Sequence, residues 1–96
     1  MSAVSEFKDR ERLVEYIMRV RNKDAAKSAM RDDESCSFAL MIDNILSYMN
    51  KNESDIIRNE YILRYPRNWW QNYYSKSGYY RVKGNALKNF LRLSKL

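Results

Sequence analysis

Apolar residues recur at helical spacing along most of the chain. In the run from Glu6 to about Arg21, Leu13, Tyr16, Ile17 and Val20 fall on one side of a helix, which predicts that this face is buried. Ser5 is the expected N-cap and Asn22-Lys23 the expected end. Val14 and Met18 form a second apolar edge, open to a second copy of the chain. Asp24 to Met30 reads either as a short helix capped by Asp24 or as a continuation after a bend. Asp32-Asp33-Glu34-Ser35 reads as a break with an acidic lead into the next helix, because carboxylates favour helix N-termini. From Ser37 to Met49, the residues Phe38, Met41, Ile42, Ile45, Leu46 and Met49 make a continuous amphipathic stripe. Asn52 or Ser54 is expected to cap a third helix running to Tyr65, and Pro66 to stop it. Arg67 to Tyr74 reads as a short helix, and a longer one follows from about residue 77 to 93. No alternating strand pattern is present. The predicted fold is all-α: a single-domain bundle of four to six helices, residues 1–49 forming a support or dimerisation part.

Length and composition narrow this picture. The 96 residues suit one domain. With 2 Gly and 1 Pro, turn-rich all-β architectures are excluded. There is no His, so the commonest general base and metal ligand is missing. The lone Cys36 makes neither an internal disulfide nor a cysteine zinc site, and reads as a small hydrophobe. Asp32-Asp33-Glu34 lacks the glycine and spaced ligands of a calcium loop, so no metal is expected there. Nothing resembles a glycine-rich phosphate loop or a nucleophile motif, so no enzyme and no cofactor is expected. No apolar stretch approaches the roughly 20 residues that span a bilayer, and residues 1–10 hold no signal-like apolar core. The expected location is the cytoplasm, away from membranes.

Charge changes the picture more. Residues 1–48 hold 8 basic and 9 acidic residues, whereas residues 49–96 hold 10 basic and 3 acidic. No acid follows Glu60, but Arg64, Arg67, Lys76, Arg81, Lys83, Lys88, Arg92 and Lys95 do. Such asymmetry points to a polyanionic partner for the second half, nucleic acid first, because each neutralised phosphate releases counterions. A basic surface that serves only solubility is the plain alternative.

The last third carries the sharper expectation. A short helix, a tight turn capped by Ser and a longer helix make a helix-turn-helix over residues 52–96. On a helical wheel, Tyr79, Val82, Ala86, Phe90 and Leu93 form the buried stripe. Ser77, Arg81, Gly84, Asn85, Lys88 and Arg92 fall on the opposite face. Arg pairs bidentately with guanine and Asn with adenine, so this face suits a major groove. Gly84 costs about 1 kcal/mol relative to Ala, which fits a close approach to nucleic acid. Arg67, Ser75 and Lys76 complete the expected nucleic-acid-binding set. The run Trp69-Trp70 with Tyr73-Tyr74 is either core or a stacking platform for unpaired bases. Six of the eight tyrosines lie between residues 61 and 80, where hydroxyls can bond phosphates.

Residues Ser75-Lys76-Ser77-Gly78-Tyr79-Tyr80-Arg81-Val82-Lys83-Gly84-Asn85-Ala86-Leu87-Lys88 resemble the recognition-helix signature of sigma factor region-four-like domains. They also resemble that of phage late-gene regulators of the ArpU type. Glu53-Ser54-Asp55-Ile56-Ile57-Arg58-Asn59-Glu60-Tyr61-Ile62 is similar to the preceding helix in those families. The resemblance covers residues 52–96 and implies promoter-type binding to double-stranded DNA near RNA polymerase. One departure is clear: Trp69 to Tyr74 replaces the acidic-Ile-Ala pattern of the first motif helix. Two classes of function follow. One is a DNA-binding transcription regulator, as a possible homodimer on paired half-sites. The other is a non-enzymatic adaptor that meets RNA polymerase, RNA or a ribonucleoprotein through the same basic face.

Overall fold

A computed structural model of the chain describes residues 3–31 and 37–94, with side chains described for residues 6–26 and 38–94. The expectations placed on Asp32-Asp33-Glu34 and Cys36 lie outside the described residues. Among the described residues every regular element is helical: α1 (Ala3–Arg31), α2 (Ser37–Tyr48), α3 (Lys51–Ile57) and α4 (Lys76–Ser94). A π turn, Arg58–Ile62, continues α3, and a single 3-10 turn, Trp69–Asn72, precedes α4. The all-α expectation therefore holds. No described helix is long and apolar enough to cross a membrane.

The helix α1 is longer than its pattern suggests. It neither stops at Asn22-Lys23 nor restarts at Asp24, and Ser5 lies within it rather than capping it. Residues 22–29 hold no Pro or Gly, so nothing breaks the ladder. Asp24 does cap a helix, but a different one: its Oδ2 accepts the Ala39 N–H of α2 at 3.2 Å. That N–H belongs to a first turn, where no backbone acceptor exists. Asn22 and Arg21 also serve neighbouring elements. Asn22 Nδ2 donates to the Tyr61 carbonyl of the π turn at 3.0 Å. Arg21 grips Asp43 of α2 through two bonds, Nε to Oδ1 at 3.2 Å and Nη2 to Oδ2 at 3.0 Å. Such bidentate pairs fix angle as well as distance.

The buried face of α1 is rotated from the expected one. Val14, Ile17 and Met18 are buried, whereas Leu13 is 44% and Tyr16 62% exposed. The edge Val14–Met18, offered above for dimerisation, is closed inside the fold. These residues join Ile42 and Leu46 of α2, Ile57 and Tyr61 of the α3 continuation, and Ala86, Leu87 and Phe90 of α4 in one core. Both halves of the chain thus share a single interior, and each fully buried aliphatic or aromatic side chain contributes about 1.5–3 kcal/mol to it.

Asn50, not Asn52 or Ser54, caps α3, and its side chain accepts the Asn52 N–H at 2.9 Å. The helix widens over residues 58–62, where the Leu63 N–H reaches back five positions to the Arg58 carbonyl. It ends before Tyr65, because Arg64 takes a left-handed conformation with φ 59°. That conformation is costly for a long L side chain.

Candidate nucleic-acid interface

The helix α4 positions most of the residues expected to meet a polyanion. Ser75 caps it: its Oγ accepts the Gly78 N–H at 3.2 Å, and its carbonyl accepts the Tyr79 N–H at 2.8 Å. A Cβ at Gly78 would stand 2.9 Å from that Oγ, so glycine lets the cap close. The helix then runs from Lys76 to Ser94, so it begins and ends within a residue of the expected 77–93. Over 19 residues it is about 28 Å long, enough to cross a major groove.

Along its outer side lie Ser77, Arg81, Asn85, Lys88 and Arg92, all exposed. Lys76 is exposed too, but it stands seven positions before Lys83, on the inner side of the first turn. None of the four cations Lys76, Arg81, Lys88 and Arg92 forms an ion pair among the described residues. Two more of the expected residues depart from this line. Gly84 does not face outward with them. It is half-buried against α1, and a Cβ there would lie 3.7 Å from the Phe7 ring. Arg67 is exposed in the 63–68 loop and borders a groove beside α4 instead of extending the stripe.

The inner side of α4 holds a residue that the charge count placed with the surface cations. Lys83 is only 6% exposed. Its Nζ donates to Glu11 Oε2 of α1 at 2.5 Å and to Glu60 Oε1 of the π turn at 2.8 Å. The same carboxylates take further donors: the Tyr61 hydroxyl on Glu11, and the Tyr79 hydroxyl and Trp69 Nε1 on Glu60. The ammonium also stands 5.7–5.9 Å from the ring centres of Phe7, Tyr61 and Tyr79, within cation–π range. Burial alone lowers the Lys83 pKa, but the bonds and charges of Glu11 and Glu60 outweigh it and hold the ammonium charged. Burial first pushes both phenols up, reinforced by Glu11 and Glu60 at Tyr61 and by Glu60 at Tyr79. A signal for Lys83 did exist in the sequence. Position 83 is four residues from Tyr79 and seven from Phe90, inside the apolar arc of the wheel.

The stretch expected as a short helix over 67–74 is a wedge of stacked rings around one 3-10 turn. Trp70 lies flat on Tyr79, with centres 4.4 Å apart and planes 8° from parallel. Trp69 meets Tyr79 and Tyr65 edge-on. Both indoles are half-buried, so neither is wholly core nor wholly a platform. A 3-10 turn of four residues spans about 8 Å, so the first element of the expected helix-turn-helix is far shorter than an α-helix there.

Beside α4 the chain encloses an open groove of about 880 Å³. Phe7, Tyr65, Trp70 and Tyr80 supply its aromatic wall, Lys8, Arg64 and Arg67 its cations, and the Lys83–glutamate cluster its floor. Comparison of the chain with protein-family models, curated sequences and solved structures finds no match.

Proposed function

We propose that the protein is a DNA-binding transcription regulator that lays the outer face of α4 along the major groove of duplex DNA. The observation that carries this reading is the stripe Arg81, Lys88 and Arg92, exposed, without ion pairs among the described residues, and interleaved with Ser77 and Asn85, with Lys76 exposed at the N-terminal end of the helix. The acids nearest the inner side of the helix, Glu11 and Glu60, are taken up by Lys83 and by phenol and indole donors. The outward potential of α4 is therefore positive along its length. Cations would hold phosphates, and Arg81 and Asn85 have the donor geometry that reads guanine and adenine. The resemblance of residues 75–88 to region-four-like recognition helices supports the same reading.

The test is a salt-titrated anisotropy measurement of the whole chain on duplex DNA, single-stranded DNA and RNA. Expected is a duplex preference with a logarithmic salt slope of about −3, for phosphate contacts by Lys76, Lys88 and Arg92 while Arg81 reads a base. Arg81→Ala combined with Asn85→Ala should lower duplex affinity at least about tenfold at about 150 mM salt. Both side chains are exposed, so the melting temperature should not move. Unchanged duplex affinity in the double variant would refute the reading, and would favour an adaptor that meets RNA polymerase or a ribonucleoprotein.

A further inference from the structure

Three local features converge on the groove beside α4. The first is the π turn Arg58–Ile62, which widens the helix at Glu60 and Tyr61. Such insertions concentrate at functional sites. The second is Arg64, held at φ 59° where a glycine would sit without strain. The third is the set of half-exposed rings: Tyr65 is 48% and Tyr80 47% exposed although both line the groove. Strain and exposed aromatics cost stability, and here they converge on one cavity whose volume is that of a small-molecule site.

The charges select the ligand. The floor carboxylates, Glu11 and Glu60, already accept from Lys83, Tyr61, Tyr79 and Trp69. Glu15, also at the groove, is bridged by Arg19 at 3.3 Å. Lys8, Arg64 and Arg67 form no ion pair among the described residues. The groove therefore offers spent acids, unspent cations and flat rings. Tyr79 covers one face of Trp70, and Tyr80 packs against it at 6.4 Å. That combination fits a planar aromatic group joined to an anion.

We propose that this groove binds a nucleotide, its base packed on Trp70 and Tyr80 and its phosphate on Arg64 and Arg67. The nucleotide is either free or an unpaired residue of a nucleic-acid strand. Stacking on aromatic side chains accepts any base, while phosphate contact with paired cations gives the charge dependence. The site is separate from the outer face of α4 and stands whether or not that face meets DNA.

Trp69 and Trp70 are the only tryptophans, so intrinsic emission of the whole chain reports on this wall. Titrations with adenosine 5′-monophosphate, adenosine, inorganic phosphate and a short single-stranded oligonucleotide at about 50 mM salt test the proposal. Expected is saturable quenching by the monophosphate and by the strand, with adenosine at least about tenfold weaker and phosphate giving no quenching. A strand that binds at least about tenfold more tightly than the monophosphate identifies an unpaired residue as the ligand. Otherwise the ligand is the free nucleotide. Arg67→Gln and Arg64→Gly should each weaken the monophosphate at least about tenfold. Arg64→Gly relieves the left-handed strain, so it should melt no lower than the parent and its lost binding is not lost fold. The Arg81→Ala, Asn85→Ala protein should quench as the parent does, which separates this site from the α4 stripe. The proposal is overturned if neither nucleotide nor strand gives saturable quenching, or if Arg64→Gly and Arg67→Gln both bind as the parent.

Discussion

Lys83 and Glu11 are 72 positions apart in the chain, yet the ammonium and carboxylate meet at 2.5 Å beneath α4. With Glu60 at 2.8 Å, the contact ties α1, the π turn and α4 into one charged cluster at the floor of the groove. Removing the cation alone leaves two carboxylates facing one another, Glu60 largely buried and Glu11 a third exposed. Lys83→Met should therefore destabilise the fold by about 3–5 kcal/mol, as read by urea denaturation. Adding Glu11→Gln and Glu60→Gln removes the stranded charge but keeps a carbonyl acceptor for Tyr61, Tyr79 and Trp69. The triple variant should recover at least about half of that loss. A triple variant no more stable than Lys83→Met would show that the cluster contributes packing rather than charge balance.

The rotation of α1 makes a second prediction. Its apolar residues, from Tyr16 round through Leu13, Ile17 and Val14 to Met18, cover an arc of about 200°, more than one face can bury. Three neighbouring residues choose the edge that goes inside. Phe7 must reach Gly84, Glu11 must reach Lys83, and Asn22 must reach the Tyr61 carbonyl; Phe7 lies between Val14 and Met18 and the other two just beyond Met18, all away from Tyr16. Val14→Ala and Met18→Ala should cost about 1–4 kcal/mol each, while Leu13→Ala and Val20→Ala should stay within about 0.5 kcal/mol. Thermal melts of the four variants check this, and equal losses at Leu13 and Val14 would reject the rotated face.

The same comparison shows what was legible. Most of the α2 stripe was readable, since Phe38, Ile42, Ile45, Leu46 and Met49 fill one arc and Ile42 and Leu46 are fully buried, but Met41 at the edge of the same stripe is 40% exposed. The extent of α4 and the exposure of Arg81, Asn85, Lys88 and Arg92 were readable for the same reason. The inward register of Lys83 was open to the wheel, but its charge partners were not, because they are carboxylates from two distant segments that no local pattern links to it. The groove was hidden in the same way: Lys8, Arg64 and Trp70 come together only through the π turn and the reversal at Arg64. Asp24 acts through Ala39, fifteen positions further on, a partner that no helical period predicts.

Gly84 supports a third prediction, because its environment differs from the one its polar neighbours suggest. A Cβ there would meet the Phe7 ring at 3.7 Å, an ordinary van der Waals distance. The helix then gains from a better former at no steric cost. Gly84→Ala should stabilise the protein by about 0.5–1 kcal/mol. In a domain of this size that raises the melting temperature by about 2–8 °C. Nucleic-acid affinity should be unchanged, since position 84 faces α1. A lower melting temperature would contradict the geometry at Phe7, and a selective loss of duplex binding would return Gly84 to the interface.

Alkaline pH provides the last prediction. Lys83, Tyr61 and Tyr79 all hold their protons more tightly folded than unfolded. For the phenols the cause is burial, reinforced by Glu11 around Tyr61 and by Glu60 around Tyr79. For Lys83 the two carboxylates overcome the opposing effect of burial. The unfolded groups titrate near about 10, so the stabilisation is complete below that pH. Above it the unfolded chain releases protons that the folded chain keeps, and stability falls by about 1.4 kcal/mol per pH unit for each group. Melting temperatures measured from about pH 8 to 11 should stay level to near 9.5 and then drop steeply. Tyr61→Phe combined with Tyr79→Phe removes two of the three titrating groups and should leave a shallower fall. A level profile to pH 11, or an equally steep fall in the double variant, would mean that these protons are not held by the cluster around Glu11 and Glu60.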